Sequence, residues 1–441
     1  MRIDTKLGTI YGKSYAGFDV FKGIPYAQSP KGALRFKHAQ PVTYYENDLY
    51  ATEFGHTPIQ PFNSLEAFFS PFQEPPQQSE DCLTLNIWRP HSKGDQLLPV
   101  IIFIYGGSFV NGHSAQDIYQ PQTIVQQEDV IVVTFNYRLG ALGFLDWSAI
   151  HSDWQANNGL SDQICALKWV YAHISSFGGD PECITLMGQS AGAMSIEALL
   201  RIRSVRPLIR HAVLLSGILQ LDTPYAAQQK AQMFNTLKHR HFPNQTWETL
   251  DSDAILTLME AHQSHYGPSK GLELIYQPVA SKEIEPHYDH VDIPVLLGIT
   301  SSEGDIYIKN EQKKLDPLQF QAILSRAGLP IPALHEMMTA QQQRRLITDF
   351  YFKQPFLDLF HTLSKTAPTW KAEFNWFRPD HPRYASAYHI LDLIFWMGRL
   401  DILEANGLTL TSHEKQLSHR MIHDLCHFAK HGELRQHQYY M

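Results

Sequence analysis

Ser190 stands in Gly188-Gln189-Ser190-Ala191-Gly192, directly after an apolar run, 184–187, and before a helix-compatible run, 193–200. Strand, G-x-S-x-G and helix in that order predict a sharp turn that lifts the serine hydroxyl out of a sheet edge, with glycines where flanking side chains would collide. A serine hydroxyl is a poor nucleophile at neutral pH. Chemistry at Ser190 therefore needs a base to take its proton and donors to hold the oxyanion formed on attack at a carbonyl. Tyr105-Gly106-Gly107-Ser108-Phe109 offers the donors, because it follows another apolar run and its small residues let backbone N–H groups approach a substrate oxygen. The N–H groups of Gly107, Ser108 and Ala191 are the expected oxyanion hole.

Such groups need a frame that gathers distant parts of the chain. The runs 100–105 and 130–135 are β-branched or aromatic and nearly unbroken, as expected of strands covered on both faces in a parallel sheet. The runs 184–187, 212–215 and 295–299 repeat the signal. Between 162 and 177 the residues Ile164, Leu167, Trp169, Val170 and Ile174 recur at helical spacing. Strands alternating with helices predict right-handed crossovers and an α/β architecture. The stretch 57–78, with five prolines and Phe62, Phe68, Phe69 and Phe72, reads as a long loop bordering a binding site.

Of 441 residues 44% are hydrophobic and only 18% charged, a composition that calls for a large buried core. No repeat or linker divides the chain, so one domain over 1–441 is expected. Lys and Arg number 36 against 44 Asp and Glu, a net charge of −8 with no basic run, which argues against nucleic acid as a partner. The apolar runs fall far short of the ~18 residues that suggest a membrane span. The opening Met1-Arg-Ile-Asp-Thr-Lys carries charge early, and Cys82, Cys165, Cys183 and Cys426 show no C-x-x-C spacing. Both point to reduced thiols in a cytoplasmic setting.

Further tokens run along nearly the whole chain: Phe21-Lys-Gly-Ile-Pro-Tyr-Ala with Leu34-Arg-Phe, Ser79-Glu-Asp-Cys-Leu-Thr-Leu-Asn-Ile, Asn136-Tyr-Arg-Leu-Gly-Ala-Leu-Gly-Phe, Asn158-Gly-Leu-Ser-Asp-Gln and Phe177-Gly-Gly-Asp-Pro. With the serine motif they make the sequence resemble the type-B carboxylesterases, the α/β-hydrolase branch that includes bacterial p-nitrobenzyl esterases and the cholinesterases. The resemblance implies an α/β-hydrolase fold, a central, mostly parallel twisted sheet flanked by helices, with helical and loop insertions forming a gorge over the site. It also implies a serine mechanism on small to medium carboxylic esters through an acyl-enzyme, with water as second substrate and neither cofactor nor metal. Carbamate or amide hydrolysis, or a non-catalytic adhesion or scaffold role, are the alternatives.

In this fold the triad runs serine, acid, histidine. Glu303, in Gly298-Ile-Thr-Ser-Ser-Glu-Gly just past an apolar run, resembles the family's acid-bearing loop, with Asp305 and Asp292 as rivals. His389, in Ala387-Tyr-His-Ile-Leu-Asp-Leu, resembles the family's H-x-x-[DE]-L stretch with Asp392 at the acidic position, and His381 is the runner-up among 23 histidines. Such a base implies turnover that falls in acid as the imidazole takes a proton.

The sequence also departs from that family. Gln189 stands where many members carry Glu, so a negative charge is missing beside the nucleophile, which disfavours cationic choline-like substrates. Ser108 replaces a third glycine, and Cys82 lacks the earlier cysteine with which its family counterpart often pairs. Arg35, Glu80, Arg138 and Asp162 lie in matched motifs and are expected to form buried structural ion pairs. Ser216 resembles a family serine near the acid. His419, His423, His427 and His431 recur every fourth residue on an expected terminal helix, where they read as a polar face.

Overall fold

The computed structural model describes residues 1–91, 96–267, 272–326 and 338–441. Its strands in chain order are β1 (Arg2–Thr5), β2 (Gly8–Tyr11), β3 (Lys13–Tyr15), β4 (Phe18–Pro25), β5 (Leu49–Tyr50), β6 (Thr84–Pro90), β7 (Leu98–Ile104), β8 (Ile131–Phe135), β9 (Gly179–Gln189), β10 (His211–Leu215), β11 (Val295–Thr300), β12 (Thr369–Phe374) and β13 (Gln438–Tyr440). Strands β1, β2 and β5 form a small sheet, and the others form one sheet in the order β13-β12-β11-β10-β9-β7-β8-β6-β4-β3. Pairing is parallel from β8 through β13 and antiparallel among β3, β4, β6 and β8.

The central strands match the apolar runs read from the sequence, and their type follows from burial. Every residue of β8, β10 and β11 is buried, and all of β7 but its first. Helices cover both faces, so alternation of polar and apolar residues is absent there. The helix Asn158–His173 and the turn Ile174–Phe177 account for the periodicity between 162 and 177. The helix Ala191–Leu200 is buried on all sides, and its two polar side chains are paired: Ser195 donates to the Ala191 carbonyl at 2.9 Å, and Glu197 accepts from the Leu219 N–H at 2.8 Å.

The antiparallel strands carry a weaker signal because charged and polar residues interrupt them. Asp19 on β4 is buried, and it accepts two hydrogen bonds at 3.0 Å from Arg89 on β6. Asn86 on β6 is buried too, donating to Ser114 and Thr134 at 3.1 Å. A bulge between Phe21 and Ile24 further breaks the pattern of β4.

Register decides what the sheet presents. Ile104 pairs with Gly188, Gln189 with Leu215, and Leu215 with Gly298, so β7, β9, β10 and β11 end side by side. Everything that follows those strands leaves from one edge, the carboxyl edge, where open parallel sheets bind ligands.

The terminal helix Ser412–His431 starts with a capping box: the Thr411 hydroxyl accepts from the His413 N–H at 3.2 Å, and Glu414 accepts from the Thr411 N–H at 2.8 Å. Leu417, Met421, Leu425 and Phe428 pack inward. On another face His419 meets Gln127 at 3.0 Å and His423 meets Glu128 at 3.1 Å. Among the described residues no helix is long and apolar enough to cross a membrane.

One buried histidine gives the fold a measurable acid sensitivity. His262, fully buried on the helix Ser252–Tyr266, packs edge-on to Phe234 at 5.3 Å and meets the Tyr276 hydroxyl at 3.0 Å. Burial pushes its imidazolium down from 6.5 to about 4. Above pH 6.5 it is neutral folded or unfolded. Between 6.5 and 4 the unfolded chain binds a proton that the folded one refuses, so stability is lost as the pH drops through that window, by up to roughly 3 kcal/mol. Urea midpoints at pH 7.5 and 4.5 are expected to differ less in His262→Gln than in the parent; equal differences would show that His262 does not contribute.

Candidate active site

Ser190 lies between β9 and the helix Ala191–Leu200 at φ 55° and ψ −124°, a conformation that side chains rarely adopt. The turn is held because the Ser190 N–H donates to the Leu215 carbonyl at 2.8 Å, and because a Cβ on Gly192 would run into the Ile104 carbonyl. The helix can thus start against the sheet only with glycine there.

The segment after β7 is strained in the same sense. Gly107, Ser108 and Phe109 have φ of 116°, 57° and 60°. The Gly107 carbonyl accepts from the N–H groups of Val110 and Asn111 at 3.0 and 2.9 Å, and a Cβ on Gly107 would strike the Asn111 carbonyl. Gly107 and Ser108 line the same cleft as Ser190, and among the described residues no acceptor takes the N–H of Gly107, Ser108 or Ala191. The stretch 57–78 is largely loop, with a short helix at Glu66–Phe69, and Gln60 ties it to this segment through Gly112 at 2.8 and 3.0 Å.

Glu303 opens a 3-10 turn after β11 and is fully inaccessible to solvent. One carboxylate oxygen accepts from the Ser216 hydroxyl at 2.6 Å and the Thr300 N–H at 2.8 Å; the other faces His389 Nδ1 at 2.6 Å. Ser216 thus reaches the acid as the resemblance implied. His389 is buried under the rings of Phe352 and Tyr307, 5.1 and 5.9 Å away, and Ile390 behind it adopts φ 77°. With Nδ1–H donated to Glu303, Nε2 keeps its lone pair, and that nitrogen lies 3.1 Å from the side-chain nitrogen of Gln189. No hydrogen bond joins Ser190 and His389 among the described residues.

Asp392, buried one turn further on, is pushed up to about 7, first by burial and then by the Glu303 charge. The rivals fall elsewhere. Asp305 faces Arg344 at 3.9 Å, Asp292 pairs with Arg206, and His381 stacks on Tyr384 at 4.8 Å.

The cleft holds about 290 Å³. Leu65, Phe69, Tyr119, Ile306, Tyr307 and Ile390 make its walls mainly apolar. Sequence reasoning did not single out Glu66, the one carboxylate among the described residues of that wall, although it flagged the loop that carries it. Buried His113 meets Glu66 at 2.6 Å through Nε2, while its Nδ1 has no partner among the described residues. The amide at 189 therefore does not leave the cleft without negative charge. A larger groove, about 550 Å³, runs along the helix Asn158–His173, but among the described residues no nucleophile meets a base there: Cys165 donates to the Tyr26 carbonyl, and burial pushes its thiol up to about 12.

Serine after β9, acid after β11 and histidine after β12 leave the sheet in the order of the α/β-hydrolase fold, and the chain has that fold. A solved thermophilic PNB esterase superposes with a TM-score of 0.90 at 32% identity, covering 98% of this chain and 91% of the other. The chain belongs to the carboxylesterase family, which matches it over residues 1–327. Para-nitrobenzyl esterase of Bacillus subtilis (strain 168) is 33% identical over 446 residues, 98% of this chain and 90% of that protein. Human cocaine esterase is 28% identical over 458 residues, 95% of this chain and 80% of its own length. The protein is a serine carboxylic ester hydrolase.

Proposed function

We propose that Ser190 is the nucleophile, His389 the general base and acid, and Glu303 the carboxylate that orients it, with the N–H groups of Gly107, Ser108 and Ala191 as oxyanion hole. The observation that carries this reading is the 2.6 Å bond from His389 Nδ1 to a fully buried Glu303, beside a serine on a strained turn in the same cleft. His389 Nε2 takes the hydroxyl proton as the serine oxygen attacks the ester carbonyl. The oxyanion draws on the free N–H groups. The proton passes to the departing alcohol, leaving an acyl-serine. Water then repeats the sequence and releases the acid. Glu303 holds the ring through Nδ1 and stabilises the imidazolium as it forms.

The cleft volume suits small to medium esters. Both edges of the large sheet come from the ends of the chain, β3 and β13, which supports one domain over 1–441. All four cysteines are free, which supports a reducing, cytoplasmic setting.

A fluorophosphonate is expected to inactivate hydrolysis of p-nitrophenyl acetate and to add its mass to the peptide containing Ser190. Label on another residue with activity lost would overturn the assignment. A matched p-nitroanilide series separates ester from amide hydrolysis; comparable rates would favour the amide alternative.

A further inference from the structure

We propose that Gln189 is a positioning residue: in the free enzyme its side-chain N–H caps the Nε2 lone pair of His389, the lone pair that must receive the Ser190 proton. The inference rests on the triad reading above and adds a group to it.

Donor and acceptor chemistry settles the direction of the contact. Nδ1 faces a carboxylate at 2.6 Å and must donate to it, so in the neutral ring Nε2 is an acceptor. A carbonyl oxygen 3.1 Å away would oppose lone pair to lone pair; the amide nitrogen found there donates. The amide has room there because residue 106 is glycine: a Cβ at that position would stand 2.9 Å from the Gln189 side-chain oxygen and 2.6 Å from its backbone oxygen. Both partners are buried, Gln189 at 1% and His389 at 7% exposure, which strengthens the bond.

Two consequences follow. The donor favours neutral imidazole, the form that can act as a base, because protonation at Nε2 would set N–H against N–H. It also withholds the lone pair from Ser190 until the amide yields, which accounts for the lack of a hydrogen bond between the serine and the histidine here. A carboxylate of the same shape would do the reverse, since it can only accept and its charge favours imidazolium.

The acid limb of kcat/KM reads the free enzyme's base. Gln189→Glu is expected to move that limb up by ~1 pH unit, since an opposite charge in contact shifts a titration by about 1–3 units. Gln189→Met, of similar length but without a donor, should move it less and in the same direction. At the midpoint of the parent's limb, where the parent keeps half of its plateau, the Glu variant would then keep about a tenth of its own.

The other groups facing His389 are the same in all three proteins: Glu303, Asp392 on the following helix, Tyr307, and Glu66 on the wall of the shared cleft. The segment Ile347–Lys353 presents Phe352, which does not titrate. Superimposable profiles, or a limb that moves to lower pH in Gln189→Glu, would overturn the proposal. Ser190→Ala, measured alongside, separates the two readings: an active alanine variant removes the triad itself, whereas an inactive one with coincident limbs removes only the role of Gln189.

Discussion

Ser190→Ala is expected to lower kcat for p-nitrophenyl acetate by about six orders of magnitude, ~8 kcal/mol of transition-state stabilisation, with no change in melting temperature. The size of the loss follows from the way the groups depend on one another. In the proposed triad the buried Glu303, 2.6 Å from Nδ1, fixes the tautomer of His389, and the histidine has no proton to collect once the hydroxyl is gone. Removing His389 as well should therefore cost little more, because members of such a unit fail together. Residual rate over water would come from the N–H groups of Gly107, Ser108 and Ala191. The fold should not notice, since alanine accepts the same positive φ at the same cost and the hydroxyl has no partner among the described residues. Substrate binding should be nearly unchanged, so the loss appears in kcat rather than KM. A purified alanine variant that keeps even a few per cent of the parental turnover would exclude Ser190 as the nucleophile.

Much of the frame was legible because central parallel strands are buried on both faces and must be written in unbroken apolar letters. The runs 100–105, 130–135, 212–215 and 295–299 fall within a residue or two of β7, β8, β10 and β11. The run 184–187 marked only the middle of β9, whose first half carries Asp180, Pro181 and Glu182. Strands β4 and β6 were not legible, because Asp19, Asn86 and Arg89 interrupt them and become acceptable in a strand only through one another and their neighbours. At the site, residue order alone could nominate an acid and a histidine, and only the family motifs around Glu303 and His389 put them ahead of Asp305, Asp292 and His381. That Glu303 and His389 meet at 2.6 Å depends on the register that ends β10 and β11 together and on the path back from β12. Gln189 was visible as a departure from a family habit, and its contact with Nε2 was not, because the two residues are 200 positions apart. Glu66 carried no local signal: its place on the cleft wall comes from Gln60 and from a histidine buried beneath it.

Asp162→Ala is expected to cost about 3–5 kcal/mol of stability, the range for stranding one member of a buried ion pair. The Asp162 carboxylate accepts two hydrogen bonds from the Arg138 guanidinium, at 2.9 and 2.7 Å, and a third from the Arg138 backbone N–H at 2.9 Å. Side-chain exposures are 2% for Arg138 and 0% for Asp162, so no water stands ready to replace the carboxylate. Arg138 also donates to the Arg35 carbonyl at 3.2 Å, and Arg35 in turn meets Glu80 at 2.6 and 2.8 Å. One substitution therefore loosens the joint between the chain leaving β8, the helix Asn158–His173 and the segment around Arg35. Asp162→Asn keeps the shape but not the charge and should cost nearly as much. By contrast Lys13→Ala, which removes a pair whose partners are 45% and 79% exposed, should change stability by no more than ~1 kcal/mol. The double change Arg138→Met with Asp162→Leu should regain most of the single-site loss, since replacing both charges by apolar groups removes the stranded one. Urea unfolding at neutral pH is the measurement. If Asp162→Ala unfolds at the parental midpoint, or if the double variant is no more stable than the single, the pair is not what holds these segments together.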